Sequence, residues 1–334
     1  MGKNNIFSIK FTQQLPKYVV SRIQPKIESP LILPGSKGKI MESLDNTLEN
    51  YIGFKLSQFR EEFFPECDVI SYYGGITEWA KFVYQPQIEV LGESAKLRDS
   101  RFLVVILNTN GGSVEAVEKM VEVTRHFYQE VYFIVPDSAM SAGTIWCMSG
   151  DKIYMDYASS LGPIDPQVQS ADGKWVPALG YLDKVEEIIS KSAQGTVTQA
   201  ELMMINNLDL AVLKRYEEAR ELSKDLLKKW LVDFKFRDWH VHETDPAKIG
   251  QAVTADEKIE RAQEIATSLS DNRKWHSHSR TISIKTIVYD LRLKIEDYTD
   301  DKEMRESVNE IHKLLNEFRF KTNREVVVIG SMAH

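Results

Sequence analysis

Two apolar runs, each followed by a turn of small residues and then a helical pattern, constrain this chain more than any other feature. Phe102-Leu103-Val104-Val105-Ile106-Leu107 leads into Asn108-Thr109-Asn110-Gly111-Gly112-Ser113, with a helix-like stretch from Val114 to Tyr128. Val131-Tyr132-Phe133-Ile134-Val135 leads into Pro136-Asp137-Ser138-Ala139-Met140, and Ser141-Ala142-Gly143-Thr144 opens a second helix-like stretch. A third run, Lys152-Ile153-Tyr154-Met155, continues into Ser160-Leu161-Gly162-Pro163-Ile164-Asp165-Pro166-Gln167. Upstream, Asp68-Val69-Ile70-Ser71-Tyr72-Tyr73 reads as a strand ending at Gly74-Gly75-Ile76. Strand, turn and helix in repetition give an α/β chain with a parallel sheet, and the turns emerge on one edge of it.

That edge is where an open α/β sheet binds its ligands. Here it offers free backbone N–H groups from Gly111-Gly112 and from the first turn after Ser141, each at a helix N-terminus. An oxygen that becomes negative during a reaction is stabilised at such a point. One glycine turn alone is just a turn. Two side by side, the second carrying a serine, point to a site.

Composition narrows the class. The 334 residues suffice for one main domain with additions, and 43% hydrophobic with 27% charged residues is ordinary for a soluble protein. A net charge of -7 and a pI near 5.6 argue against nucleic acid as a partner. Two cysteines, Cys67 and Cys147, make no disulfide framework and fit a reducing cytoplasm. No signal-peptide pattern is seen and no apolar run approaches the roughly 18 residues of a membrane span, so no integral membrane segment is expected. No P-loop, dinucleotide turn or EF-hand loop is seen, and no cofactor is expected.

Residues 1–45, with Pro16, Pro25, Pro30, Pro34 and Gly35-Ser36-Lys37-Gly38, read as an extended N-terminal arm. Leu44, Leu48, Ile52, Leu56 and Phe59 mark a helix over 41–64. A helix containing Trp79, Phe82 and Val83 is expected to break at Pro86, which lacks the N–H a helix interior needs, and to resume over 88–97. Residues 171–177 read as a loop or short hairpin. Helices follow over 181–192, 200–213 and 214–231. Thr254-Ala255-Asp256-Glu257 has the form of a capping box ahead of a helix over 258–268. Further helices are expected over 282–295 and 302–320. Val326-Val327-Val328-Ile329 reads as an edge strand or a contact with another chain. The division is therefore an arm (1–45), the main domain (46–255) and a mostly helical C-terminal extension (256–334).

Asn108-Thr109-Asn110-Gly111-Gly112-Ser113-Val114, followed by Ala139-Met140-Ser141-Ala142-Gly143-Thr144, resembles the Clp protease and signal peptide peptidase A group. The Ser-Ala-Gly-Thr turn with Leu161-Gly162-Pro163-Ile164-Asp165-Pro166-Gln167 is more similar to the serine dehydrogenase proteinase family of that superfamily, as are Trp275-His276-Ser277-His278 and Leu293-Lys294-Ile295-Glu296-Asp297. The resemblance covers about residues 68–300. It implies a ClpP/crotonase-like spiral of ββα units, usually assembled into homo-oligomers. It also implies peptide-bond hydrolysis by a serine nucleophile; because no ATPase module is seen in the sequence, an ATP-independent serine peptidase acting on peptides or unfolded proteins is the leading expectation. By position, Ser141 matches the nucleophile, and the amides of Gly112 and Ala142 match the oxyanion hole.

The proton acceptor departs from the Clp pattern. Where Clp-type proteases carry a histidine, this chain reads Ile164-Asp165-Pro166, and no histidine lies between His126 and His240. Asp165 reads better as a carboxylate capping its loop than as a base. Signal peptide peptidase A enzymes use a lysine, and by spacing from the serine Lys184 is the leading match, with Lys191 and Lys174 behind it. Lys184 stands between Asp183 and Glu186, a setting that also suits an exposed, ion-paired lysine. A histidine delivered from the C-terminal region, His276 or His278, is the other candidate. His240-Val241-His242 and His276-Ser277-His278 together could hold zinc, but alternating histidines also arise on surface strands, so no metal is assigned. Cys147, Trp146 and Met148 read as core. Two further readings stay open. One is a non-catalytic oligomeric scaffold or sensor that has lost its base. The other is a crotonase-like acyl-CoA enzyme using the same amides for a thioester enolate, although no adenine or phosphate patch is evident.

Overall fold

The computed structural model describes residues 44–334 apart from 99, 165–166, 170–174, 207–208, 244–246 and 333–334. The arm expected over 1–45 falls outside these up to residue 43. Helix α1 (Leu44–Phe63) precedes strand β1 (Cys67–Gly74). Then come α2 (Ala80–Arg98), β2 (Phe102–Asn108), α3 (Val114–Phe127), β3 (Glu130–Val135), β4 (Ser138–Ala139), α4 (Ala142–Cys147), β5 (Lys152–Met155) and β6 (Ser160–Leu161). A hairpin of β7 (Gln167–Gln169) and β8 (Trp175–Pro177) leads to α5 (Ala178–Ala193), α6 (Gln199–Asn206) and α7 (Leu210–Trp230), which ends in a π-helical turn, Leu231–Lys235. The remainder is α8 (Ala255–Leu269), α9 (Asn272–Trp275), β9 (Ile282–Ser283), α10 (Ile284–Tyr289), β10 (Glu296–Asp297), α11 (Lys302–Thr322) and β11 (Val326–Gly330).

The main sheet has the order β10-β5-β3-β2-β1-β11, parallel throughout except for β11. Its strands are apolar at consecutive positions because both faces are covered. Ile70, Tyr72, Leu103, Val105, Val131 and Phe133 point into one core, shared with α2, α3, α4, α7 and α8. Their neighbours Val69, Tyr73, Val104, Ile106, Tyr132 and Ile134 point into the other, shared with α1 and α11. This is the period-two alternation of a strand, buried on both sides.

A second, small sheet, β4-β6-β9, stands at the carboxyl edge of the first. β3 passes directly into β4 before α4 begins, and β5 is followed by β6 in the same way. Parallel bridges Ile76–Gly112 and Thr109–Ala139 continue the pattern across the earlier turns. The result is the spiral of ββα units expected for a ClpP/crotonase-like α/β chain.

Three details differ from the sequence expectations or sharpen them. Pro86 does not break its helix: α2 runs continuously through it. A proline removes a single hydrogen bond there, while the buried stripe Ala80, Tyr84, Ile88, Leu91 and Ala95 continues across it. The helix expected over 282–295 is only α10, because Ile282-Ser283 pair with β6, and Arg292 at φ 45 turns the chain towards β10. Residues after 255 also enter the sheets: β9, β10 and β11 all come from that region, and Leu44–His334 is one compact unit. The capping box at Thr254 and Glu257 is present, and Cys147 and Trp146 are core residues. Both cysteines are free and buried. Among the described residues no helix is long and apolar enough to cross a membrane.

β11 seals the β1 edge and buries Val327, Val328 and Ile329. Each such side chain contributes about 1.5–3 kcal/mol, against a total stability of about 5–15 kcal/mol. Deleting residues 325–334 should therefore abolish the cooperative urea transition. An unchanged midpoint would show that β11 is dispensable.

Candidate functional site

The site is built by stitching the ends of β2 and β3 together. The Thr109 N–H donates to Ser138 O at 2.9 Å and the Met140 N–H donates back to Thr109 O at 3.0 Å. Asn108 Oδ1 accepts the Ser138 N–H at 3.2 Å. The Thr109 hydroxyl accepts the Gly111 N–H at 3.0 Å, which shapes the glycine turn from within. On its other flank the turn is tied to the segment after β1: the Ile76 N–H donates to Gly111 O at 2.9 Å and the Ser113 N–H to Ile76 O at 2.7 Å.

Both glycines are required by conformation and by space. Gly111 has φ 93 and Gly112 φ 147. A Cβ on Gly111 would lie 2.8 Å from Ser141 Cβ and 3.2 Å from the Ala142 nitrogen. One on Gly112 would lie 1.9 Å from Ile76 O. Only glycine adopts these angles without cost, and only glycine lets the first turn lie against the second.

Ser141 carries the strain. Its φ of 53 and ψ of -117 lie outside the regions open to L-residues, and it precedes α4 without capping it. Such a conformation costs on the order of 1–3 kcal/mol and persists only where the surroundings enforce it. With Met140 it turns the chain from β4 into α4 within two residues, and the serine is half-buried. Among the described residues, the Gly112 and Ala142 N–H groups have no acceptor, and the Ser141 hydroxyl has no side-chain partner. α4 has only six residues, so the free amides themselves, more than a helix dipole, make the electropositive spot.

Beside the turn, the Ser113 side chain caps α3 by accepting the Ala116 N–H at 3.0 Å. Its hydroxyl lies 2.9 Å from both Glu78 Oε1 and Glu115 Oε2. The Lys81 ammonium, then Ser113, hold Glu78 below the usual carboxylate range. Trp79 and Phe82, ring centroids 5.7 Å apart, are exposed next to this group.

The candidate proton acceptors are scattered. Asp165 and Lys174 lie outside the described residues. Lys184 is on α5, half exposed, with Nζ 2.9 Å from Glu187 and 4.0 Å from Glu201. Lys191 sits 2.6 Å from Glu187 and 2.7 Å from Glu201, and these two carboxylates raise its pKa, the opposite of what a base needs. His242 is buried, edge-on to Trp239, with Nε2 3.3 Å from Glu257. His276 is exposed at φ 62, beside Trp275, whose indole N–H donates to Ser268 O at 2.6 Å. Among the described residues no group of three or more His, Cys, Asp or Glu side chains could hold a metal.

One lysine missed in the sequence has a lowered pKa. Desolvation brings Lys235 down to about 8, opposed mainly by Glu296. It lies in the π-helical turn after α7 and donates to Asp151 O at 3.3 Å. Asp151 immediately precedes β5, whereas Ser141 follows the carboxyl ends of β3 and β4. The six residues of β3 span roughly 20 Å, so Lys235 lies at the opposite edge of the sheet from Ser141. No sequence signal marks it.

Residues 88–241 match the family described as ClpP-like SDH-type serine proteinase. The matched segment holds both glycine turns, Ser141 and Lys184. Two uncharacterized proteins of Methanocaldococcus jannaschii are similar to it. One is 32% identical over 140 residues, covering 39% of this chain and 47% of the relative. The other is 25% identical over 180 residues, covering 54% and 48%. The chain thus spans about half the length of the curated relatives it matches. Among solved structures, a mutant of the 1510-N membrane-bound stomatin-specific protease in complex with a substrate peptide overlays with a TM-score of 0.29. It is 23% identical and covers 36% of this chain and 56% of that one. ClpP1 from Listeria monocytogenes overlays with a TM-score of 0.37 at 13% identity, covering 73% and 92%.

Two predictions follow from these positions. Gly112→Ala should cost at least about 2 kcal/mol in thermal unfolding. Gly75→Ala, where a Cβ meets nothing within 4 Å, should stay within about 0.5 kcal/mol. Equal effects would refute the close approach to Ile76. For Lys235, the folded value of about 8 lies below the ordinary 10.5, so between them the unfolded chain holds more protons. Stability therefore rises with pH across that window, and the burial penalty is complete below it. Lys235→Met should stabilise the protein at pH 7, with the gain shrinking between about 8 and 10.5. A gain independent of pH would contradict desolvation as the cause.

Proposed function

We propose that this chain is a serine peptidase that cleaves peptides or unfolded proteins. The observation that carries the reading is Ser141, held at φ 53 and ψ -117 against Gly111, with the Gly112 and Ala142 amides, unpaired among the described residues, beside it. A substrate carbonyl carbon placed over the Ser141 hydroxyl puts its oxygen between those amides. Attack by Oγ forms the C–O bond and moves the carbonyl electron pair to oxygen, where the two N–H groups hold the charge. Collapse expels the amine, which takes the proton that left Ser141, and water then hydrolyses the acyl-enzyme. A strained turn fixes the nucleophile before substrate arrives, so little reorganisation is left for the reaction step.

For the proton acceptor, Lys184 is the lysine we carry forward, on its spacing from Ser141. Lys184 is held 2.9 Å from Glu187 and has to leave it to reach the serine hydroxyl. Serine chemistry of this kind consumes no nucleotide. A cytoplasmic homo-oligomer is the setting that fits the composition and the family. A scaffold without catalysis is the second reading, favoured by the missing partner of the Ser141 hydroxyl among the described residues.

A fluorophosphonate probe separates the two. The wild type should be labelled and Ser141→Ala should not. Lys184→Met should slow labelling at least about hundredfold, the scale of a lost general base, while Lys191→Met leaves it near wild type. An unlabelled wild type would favour the scaffold, and unimpaired Lys184→Met would remove Lys184 from the mechanism.

A further inference from the structure

We propose that Thr144 is the residue that positions the Ser141 turn. Its catalytic consequence rests on the reading of Ser141 as the nucleophile. Thr144 is fully buried, three residues beyond Ser141 in α4. Its hydroxyl accepts the Gly162 N–H at 2.9 Å, and it lies 2.7 Å from Ala139 O and 2.9 Å from Gly162 O. A hydroxyl has one hydrogen, so it donates to one of these carbonyls at a time while still accepting from Gly162.

The reason for this arrangement is a missing rung. β4 and β6 pair in parallel at Ser138–Ser160 and Ala139–Leu161. The next residue of β6's line, Gly162, has no strand partner, because the chain has already turned through Met140 into Ser141. The Thr144 side chain takes that place and meets both backbone groups of Gly162. It therefore joins three pieces: the end of β4, the segment after β6, and the first turn of α4. The fit is tight on both flanks. A Cβ on Gly162 would lie 2.6 Å from Met140 Cε, and one on Gly143 would lie 2.4 Å from Thr109 Cγ2. The serine turn is thus clamped by the β2 turn at Gly143 and by the β6 segment through Thr144.

Removing the hydroxyl leaves the Gly162 N–H and a buried carbonyl unpaired, and one of the restraints that hold Ser141 at its unfavourable φ is lost. The test compares Thr144→Val, which keeps the shape, with Thr144→Ser, which keeps the hydroxyl. Thr124→Val is the control, a buried threonine whose hydroxyl bonds Met120 O at 2.7 Å and meets Tyr84 at 2.9 Å, away from the serine turn. Two quantities are measured on folded protein: amide exchange over 138–147 and 160–164, and the rate of fluorophosphonate labelling. Thr144→Val should raise exchange in those two segments and slow labelling about tenfold or more, as expected for a misplaced reacting group. Thr144→Ser should match wild type in both, and Thr124→Val should label at the wild-type rate. Unchanged exchange in Thr144→Val would overturn the proposal, as would equal slowing by Thr124→Val. If Thr144→Val does not fold, Thr144→Ser decides: wild-type exchange and labelling uphold the role of the hydroxyl, and losing either refutes it. If the wild type itself is never labelled, the peptidase reading fails, while the exchange data still decide what Thr144 does.

Discussion

The pair of backbone hydrogen bonds between Thr109 and the β3–β4 segment is the constraint on which the site depends. It forces the ends of two parallel strands to run side by side past the sheet edge. Both chains then have to reverse into helices in the same small volume. Gly111 and Gly112 solve this for the first chain by having no Cβ. The second chain solves it by placing Ser141 in a conformation that L-residues avoid. A strain of about 1–3 kcal/mol is modest beside a sheet buried on both faces, and the two cores supply the rigidity that sustains it.

The sheet also separates two kinds of chemistry. Its amino edge is held by a buried charge network: Asp151 accepts from Arg125 at 2.9 Å and from Arg237 at 2.5 Å, and caps the Val131 N–H at 2.8 Å. Lys235, with its lowered pKa, belongs to this network's surroundings. Its carboxyl edge holds strained backbone and amides that are free among the described residues, with Glu78, Lys81 and Glu115 beside the glycine turn. A perturbed lysine is often a functional residue, but here its location says otherwise: Lys235 sits where α7, through its π turn, is anchored onto β5. Position along the strands outweighs the pKa.

Much of the fold was legible because apolar runs and small-residue turns alternate with few interruptions. The strands, the double turn and the serine at its second bend follow from periodicity and glycine placement alone. Three things did not follow. Pro86 was read as a break because local chemistry forbids it mid-helix, yet the buried stripe from Ala80 to Ala95 overrides one lost hydrogen bond. The strands β9 and β10 have two residues each, too short for any alternation to register. The proton acceptor stayed open because lysines at suitable spacing are common. Lys184 and Lys191 share carboxylates of α5 and α6, a pattern that surface helices form for their own stability.

The central claim is that Ser141 becomes covalently acylated in the course of the reaction. Intact-mass spectrometry of the folded chain, mixed with an activated peptidyl ester and quenched in acid, tests it most directly. A mass increase of one acyl group is expected, mapped by digestion to the peptide containing Ser141 and absent in Ser141→Ala. An acyl group found on another residue, or peptide hydrolysis that continues in Ser141→Ala, would contradict it.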